Sequence, residues 1–292
     1  MSEITVQDIT SRNGGIFNLA RTKIGIIGAG AIGSFTAESL VRCGCMQLTV
    51  ADGDSVGVEN IGVQNYDVDD LGKSKPIALK DKLIRMNPTL VINACPYNWR
   101  PMNDGMGMRS DHSQALIQLY NSDLLILAVD NMETRLNIVE DLYKEKINHN
   151  KDIYLIDSRM GAEVFQMYLF KDDWKFGDYK LTWYSDEDSD TEPCNARSTS
   201  YCANMAAAFI VNQIKKVVQE EATETEVTFS FNGMLLSKTV NHNIELPEPK
   251  THSSPHYKVT QKNDDLPALI DKHKDSADIF FNQEEIDGFL GS

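Results

Sequence analysis

Short apolar runs alternate with longer segments of helical periodicity along the first two thirds of the chain. Short apolar runs that end in glycine or aspartate favour buried strands, and apolar residues spaced three or four apart favour amphipathic helices. The predicted strands are Lys23–Gly28, Gln47–Ala51, Thr89–Ala94, Asp123–Val129 and Ile153–Ile156, and the predicted helices are Ala31–Arg42, Pro76–Met86 and Thr134–Ile147. This order predicts an α/β fold with a Rossmann-like, doubly wound, mostly parallel sheet.

The following part of the chain predicts an antiparallel extension of that sheet. Glu163–Phe170 alternates apolar and polar residues, as a partly exposed antiparallel strand does. A helix is predicted at Ala203–Val218 and a strand at Val227–Phe231. The acidic run Tyr184–Glu192 predicts an exposed loop before this helix, because it has too few apolar residues to bury.

We divide the chain into three parts. Residues 1–22 form an N-terminal segment and a candidate dimer arm, and residues 23–245 form one domain. Residues 246–292 are rich in proline, serine and charge and predict an acidic polar tail, whose end at 277–290 regains enough apolar residues to dock.

Composition narrows the classes of partner. The 292 residues include 28 Lys and Arg against 43 Asp and Glu, which gives a net charge of −15. We therefore expect that the overall electrostatic field of the protein does not attract nucleic acid or anionic lipid. No apolar run is long enough to cross a membrane, and the first residues lack a signal-peptide core. Five scattered cysteines without a CxxC pair indicate reduced thiols and no zinc site. We therefore expect a cytoplasmic protein.

A glycine-rich turn follows the first predicted strand and begins the first predicted helix. In Gly28-Ala29-Gly30-Ala31-Ile32-Gly33, Gly28 permits the tight turn, Gly30 lets the backbone approach a phosphate, and Gly33 allows close helix–strand packing. Asp52 ends the second predicted strand, where its carboxylate can accept hydrogen bonds from ribose hydroxyls. The pattern predicts a nucleotide site lined by Gly28, Gly30, Ala31, Gly33 and Asp52; the alternative is a turn that only packs tightly.

Further motifs narrow the choice of nucleotide. They are Asp52-Gly53-Asp54, Asn60-Ile61-Gly62-Val63-Gln64, Gly72-Lys73-Ser74-Lys75, and Asp130-Asn131 followed by Arg135. In this order, over about residues 12 to 245, the chain resembles the ThiF/MoeB/HesA family, which is related to ubiquitin-activating enzymes. The resemblance implies adenylation, with ATP and Mg²⁺, of the C-terminal carboxylate of a ubiquitin-like or sulfur-carrier protein or peptide.

The same resemblance assigns roles. Lys75 is expected to contact phosphate and Asp130 to bind Mg²⁺ through a hard oxygen at the carboxyl end of a buried strand. The nucleotide or its loop is expected to be oriented by Asp54, Asn60, Gln64 and Asn131. Considered alone, Lys75 could be a solvated charge and Asp130 a helix cap.

One position departs from the family pattern. Val63 stands where the family has arginine, so a cation expected on the phosphates is missing, and either Lys73 supplies it or adenylation is weakened. The family also uses an arginine from the partner subunit's N-terminal segment, for which Arg12 is the candidate, and this implies a homodimer. The alternative is a surface arginine.

Two cysteines have different expected roles. Cys194 follows the acidic loop, where family members place a cysteine that takes the acyl group or a persulfide, and the nearby Arg197 favours its thiolate. Cys202 is expected to be a small buried hydrophobe.

Two other functions remain open. A nicotinamide-dependent oxidoreductase would use the glycine turn and Asp52 equally well, but it leaves Lys75 and Asp130 unexplained. A catalytically degenerate nucleotide-binding partner of an activating heterodimer would account for Val63.

Overall fold

A computed structural model describes residues 5–13, 18–99, 117–185 and 198–240. Its strands are β1 (Lys23–Ile27), β2 (Gln47–Ala51), β3 (Val91–Cys95), β4 (Leu124–Leu127), β5 (Tyr154–Gly161), β6 (Val164–Phe170), β7 (Glu224–Ser230) and β8 (Leu235–Val240). Its helices are α1 (Val6–Thr10), α2 (Ala31–Arg42), α3 (Lys75–Met86), α4 (Met132–His149), α5 (Phe176–Lys180) and α6 (Ser200–Val218), and residues 117–120 are also helical. Short 3₁₀ helices cover Ser11–Asn13, Val58–Asn60 and Val68–Asp70.

All eight strands form one sheet in the order β3-β2-β1-β4-β5-β6-β7-β8. The strands from β3 to β5 in this order pair in parallel, and those from β5 to β8 pair antiparallel. The predicted α/β fold with a Rossmann-like, mostly parallel sheet and an antiparallel extension is therefore confirmed. The strand order reverses between β1 and β4, which is where open α/β sheets bind ligands.

Apolar side chains fill both faces of this sheet. Ile26 of β1 and Ile126 of β4 belong to the core under α2, α3 and α6, whereas Ile27 and Leu127 belong to the core under α4 and α5. Successive side chains of a strand point to opposite faces, so the central strands need to be apolar throughout. This is why the predicted parallel strands are continuous apolar runs.

Several boundaries differ from the prediction. The third strand begins at Val91, not Thr89, because the Asn87 side chain accepts hydrogen bonds from the Thr89 N–H at 3.1 Å and hydroxyl at 2.7 Å, which closes a turn after α3. The second-to-last strand covers Glu224–Ser230 and not Val227–Phe231. The strand β8 and the short helices α1 and α5 were not predicted.

Backbone contacts divide the chain into Met1–Glu245 and Leu246–Ser292. The predicted tail, including 277–290, lies outside the described residues, as does most of the predicted acidic loop. Within the described ranges, no helix is both long enough and apolar enough to cross a bilayer.

Gly33 should be required for folding, because a Cβ there would lie 1.9 Å from the Gly28 carbonyl oxygen. We expect Gly33→Ala to lower the free energy of unfolding by at least about 2 kcal/mol, measured by urea denaturation. The control is Gly177→Ala in α5, where a Cβ meets no atom of the described residues within 4 Å. A Gly33→Ala protein as stable as Gly177→Ala would contradict the close packing.

Candidate functional site

The glycine turn and the end of β4 are in direct backbone contact at the point where the strand order reverses. Gly28 has a φ of 100°, and a Cβ on it would lie 2.6 Å from the Ala128 carbonyl carbon and oxygen. The Gly28 N–H donates to the Ala51 carbonyl oxygen at 2.8 Å, and the Ala128 N–H donates to the Ile27 carbonyl oxygen at 2.8 Å. The turn after β1 and Asp130, two residues beyond Ala128, therefore lie at the same sheet edge.

Gly30 borders open space at the N-terminus of α2. A Cβ built on it would meet no atom within 4 Å among the described residues, in contrast to Gly28 and Gly33. Gly30 is the N-cap of the 12-residue α2, and as a glycine it has no side chain to cap this end. An uncapped helix N-terminus presents N–H groups and a partial positive charge, which suit a phosphate.

The Asp52 carboxylate fastens this turn. Its Oδ2 accepts from the Ala29 N–H at 2.7 Å and its Oδ1 from the Asp54 N–H at 2.8 Å. Burial raises the pKa of Asp52, and these two hydrogen bonds oppose that shift. Because each carboxylate oxygen has two lone pairs, Asp52 retains acceptor capacity for the ribose hydroxyls predicted for it.

Lys75 is a buried cation at the start of α3. It is 7% exposed, and its Nζ lies 2.9 Å from Oδ2 of Asp54, whose side chain is 69% exposed. The alternative of a solvated charge is therefore wrong. Lys73 is more exposed, and its Nζ lies 3.2 Å from Oδ1 of Asp70.

The segment between β2 and α3 folds back on itself and carries Asn60 and Gln64, two of the predicted nucleotide ligands. The Asn60 Oδ1 accepts from the Gly57 N–H at 2.9 Å, so its oxygen shapes the loop. The Gln64 Oε1 is shielded from solvent and accepts no hydrogen bond within the described part of the chain. Gln64 is therefore the member of this pair whose oxygen has no partner among the described residues.

Asn131, not Asp130, caps α4. Its Oδ1 accepts from the Thr134 N–H at 2.7 Å, so the alternative role of Asp130 as the cap is wrong. The predicted contact of Asn131 with nucleotide has to coexist with this capping bond. Asp130 is exposed at the sheet edge beside the glycine turn.

An ion-pair cluster of Arg135, Asp157 and Arg159, which was not predicted from the sequence, holds the backbone next to Asp130. Arg135 donates to the Asp157 carboxylate and to the Val129 carbonyl, and also to the Ser158 carbonyl at 3.0 Å. Arg159 donates to Oδ2 of Asp157 at 2.7 and 2.9 Å. Asp157 is fully buried. Arg135 thus joins the carboxyl end of β4 to the middle of β5. The signal for Asp157 in the sequence was an aspartate directly after the predicted strand Ile153–Ile156.

Arg12 lies far from the glycine turn of its own chain. It is exposed on the 3₁₀ helix after α1, and Thr10 of α1 contacts Gly44, just beyond the C-terminal end of α2. The 12 residues of α2 span about 18 Å, so Arg12 and Gly30 lie at opposite ends of this helix.

Cys202 and Cys194 are the two cysteines with predicted roles. Cys202 is fully buried in α6, which confirms the prediction of a small buried hydrophobe. Cys194 lies outside the described residues.

Asp130 is the predicted Mg²⁺ ligand of the site. Over the described ranges, no three or more His, Cys, Asp or Glu side chains are grouped as a metal site. Mg²⁺ bound with a nucleotide needs only one or two carboxylates, because phosphates and waters supply the other oxygens. Asp130 is exposed and follows β4 at the same sheet edge as the open side of Gly30, which fits this requirement.

Comparisons with known proteins agree with these motifs. The ThiF family model matches residues 3–255. Ubiquitin-like modifier-activating enzyme 5 of Caenorhabditis briggsae is 30% identical over 115 residues, 39% of this chain and 27% of that protein. The tRNA threonylcarbamoyladenosine dehydratase 1 of Saccharomyces cerevisiae is 24% identical over 135 residues, 46% of this chain and 30% of that protein. The matches thus span less than a third of these two relatives.

Solved structures share the fold. PaaA has a TM-score of 0.59 at 20% identity, with 76% of this chain and 64% of that chain covered. E. coli MccB, solved with ATP, has a TM-score of 0.57 at 18% identity, with 80% of this chain and 65% of that chain covered.

Asp157→Asn should be strongly destabilising, because it leaves the buried Arg135 and Arg159 without their anion. We expect the free energy of unfolding to fall by about 3 kcal/mol or more, measured by denaturant titration. Glu140→Gln, which removes an exposed partner of Lys144, is the control and should cost less than about 0.5 kcal/mol. Similar losses in both variants would contradict the anchoring role of Asp157.

Proposed function

Because the chain belongs to the ThiF family, we propose that it uses ATP to convert the C-terminal carboxylate of a protein or peptide into an acyl-adenylate. One observation carries the proposal: the open N-terminus of α2 at Gly30, the buried Lys75 and the exposed Asp130 follow β1, β2 and β4. Ligands of open α/β sheets bind at this edge. The family also disfavours the nicotinamide alternative.

The reaction joins two anions, so charge stabilisation is the main task of the site. An oxygen of the substrate carboxylate bonds to the α-phosphorus of ATP, the bond from that phosphorus to the bridging oxygen breaks, and pyrophosphate leaves with the bond electrons. The N-terminus of α2 and Lys75 would stabilise the negative charge on the phosphates. Asp52 would hold the ribose, and Gln64 would contact the nucleotide.

Lys75 must exchange one anion for another. Its present partner, Asp54, is mostly exposed and can return to solvent without being buried unpaired. A phosphate oxygen would then replace the carboxylate on Nζ. The Asp54–Lys75 ion pair therefore keeps the lysine in place before the nucleotide arrives.

Asp130 would hold the Mg²⁺ that accompanies ATP. The ion would neutralise charge on the phosphates when it is bound. The contribution of the chain is to hold the Asp130 backbone: the Gly28–Ala128 contact lies before it, and the Arg135 bond to Val129 fixes the preceding peptide. This support places the carboxylate without a dedicated cluster of ligands.

Val63 supports a second candidate function. With valine in place of the family arginine, the phosphates have one cation fewer, and Lys73 is the nearest lysine along the chain to Lys75. Lys73 has to leave Asp70 to take that role. If it does not, the chain would be a nucleotide-binding partner that depends on an active relative.

The substrate is proposed to be a ubiquitin-like or sulfur-carrier protein or a short peptide. Support comes from the names of relatives that activate ubiquitin-like modifiers and from the solved complex of MccB with MccA. Cys194 is proposed to attack the acyl carbon as a thiolate, forming a thioester and releasing AMP.

Asp130→Asn should abolish ATP–pyrophosphate exchange, because the amide oxygen is a weaker ligand for Mg²⁺ than the carboxylate. With labelled pyrophosphate and a panel of carrier proteins that end in glycine, we expect at least about a 100-fold loss of exchange. Asp81→Asn, on the exposed surface of α3, is the control and should retain exchange. ATP binding by wild type without exchange would favour the degenerate partner, and undiminished exchange in Asp130→Asn would contradict the metal role.

Arg12 is proposed to complete the site of the partner subunit in a homodimer, since it lies at the far end of α2 from its own glycine turn. Arg12→Ala and Asp130→Asn should each be inactive alone. Mixed in equal amounts and allowed to exchange subunits, they should recover about a quarter of the wild-type exchange rate, because half the dimers regain one of two sites. No recovery in demonstrated mixed dimers, or full activity of Arg12→Ala alone, would contradict this role.

A further inference from the structure

We propose that Tyr66 is a positioning residue that orients the Gly30 N–H toward a nucleotide phosphate. The inference rests on the proposed function, because it assigns the open side of Gly30 to phosphate. It adds a residue to which the family motifs in this sequence give no role.

The Tyr66 hydroxyl lies between the two chain segments expected to contact phosphate. Tyr66 is 4% exposed, and its hydroxyl donates to the Ala29 carbonyl oxygen at 2.8 Å. The same hydroxyl lies 3.3 Å from the carbonyl oxygen of Lys75. Burial, assisted by the charges of Asp52 and Asp70, raises the pKa of Tyr66, so its hydroxyl keeps its proton at working pH.

Because of the geometry of the peptide bond, the hydrogen bond from Tyr66 to Ala29 also sets the orientation of the Gly30 N–H. In a trans peptide, the carbonyl and the N–H of the next residue point in opposite directions. The hydrogen bond from Tyr66 to the Ala29 carbonyl therefore directs the Gly30 N–H away from Tyr66. No hydrogen bond recorded among the described residues uses this N–H.

Glycine makes such an external constraint necessary. Gly28 and Gly30 flank Ala29, and glycine populates many backbone conformations, so the turn does not fix its own peptide orientation. The Ala29 N–H is held by Asp52 at 2.7 Å and the Ala29 carbonyl by Tyr66. Together the two side chains fix the peptide planes on both sides of Ala29.

Tyr66 is itself held by the fold of its loop. The base of the loop is closed by hydrogen bonds from the Val56 N–H to the Lys73 carbonyl and from the Gly72 N–H to the Val56 carbonyl, both 2.9 Å. Its neighbour Asn65 donates from its N–H to the Ser34 hydroxyl of α2 at 3.0 Å. The position of the hydroxyl is therefore set by α2 and by the closed loop.

Tyr66→Phe removes the hydroxyl and keeps the ring. We expect the Kd for ATP, measured by calorimetry on the full chain with Mg²⁺, to rise about fivefold, as for one lost hydrogen bond. The Kd for adenosine, which has no phosphate, should stay within twofold of wild type. Tyr120→Phe is the matched control, because Tyr120 is also buried and its hydroxyl has no partner among the described residues.

The ratio of the two dissociation constants separates positioning from a structural role. An equal rise for ATP and adenosine in Tyr66→Phe would show a general loss of structure and overturn the inference. Unchanged ATP binding in a folded Tyr66→Phe protein would also overturn it. Wild-type protein that does not bind ATP would instead refute the proposed function on which the inference rests.

Discussion

The backbone contact between Gly28 and Ala128 is the constraint on which the site depends. It requires a residue without a Cβ at position 28, and it brings the turn after β1 against the end of β4. Two of the groups proposed to handle phosphate lie on either side of this contact: the N–H groups of α2 and Asp130. Asp52 holds the turn from β2, and Arg135 holds the end of β4 from α4. The site is thus assembled by backbone proximity and then fixed by buried hydrogen bonds.

Charge is the second organising feature. The chain has a net charge of −15, and Asp52, Asp54 and Asp130 are all expected near a polyanionic nucleotide. The described arginines near the sheet edge, Arg135 and Arg159, are both committed to the buried Asp157. Lys75 and the helix N-terminus are therefore the main positive groups that the described part of the chain offers to phosphate. If the proposed function holds, such a site would need Mg²⁺ and cations from a second subunit, which are the roles proposed for Asp130 and Arg12.

The fold could be predicted from sequence because its central strands are buried on both faces and so read as continuous apolar runs. The glycine turn could also be predicted, because each of its glycines meets a different local structural requirement. Contacts between residues distant in the sequence could not be predicted. Asp157 contacts Arg135 and Tyr66 contacts Ala29 only because the folded sheet brings their elements together. The five-residue α5 was missed because it carries too few periodic positions. The edge strand β8 was missed because its side chains at 235–239 are exposed and its sequence does not alternate apolar and polar residues. Asn131 was assigned to nucleotide, although its side-chain oxygen caps α4.

A crystal structure of the full chain with Mg²⁺ and α,β-methylene ATP tests the central claim most directly. We expect the phosphates at the Gly28–Gly30 turn, Lys75 Nζ within hydrogen-bond distance of a phosphate oxygen in place of Asp54, and the metal ion on Asp130. Phosphates bound away from the junction of β1 and β4, with Lys75 still paired to Asp54, would contradict the account.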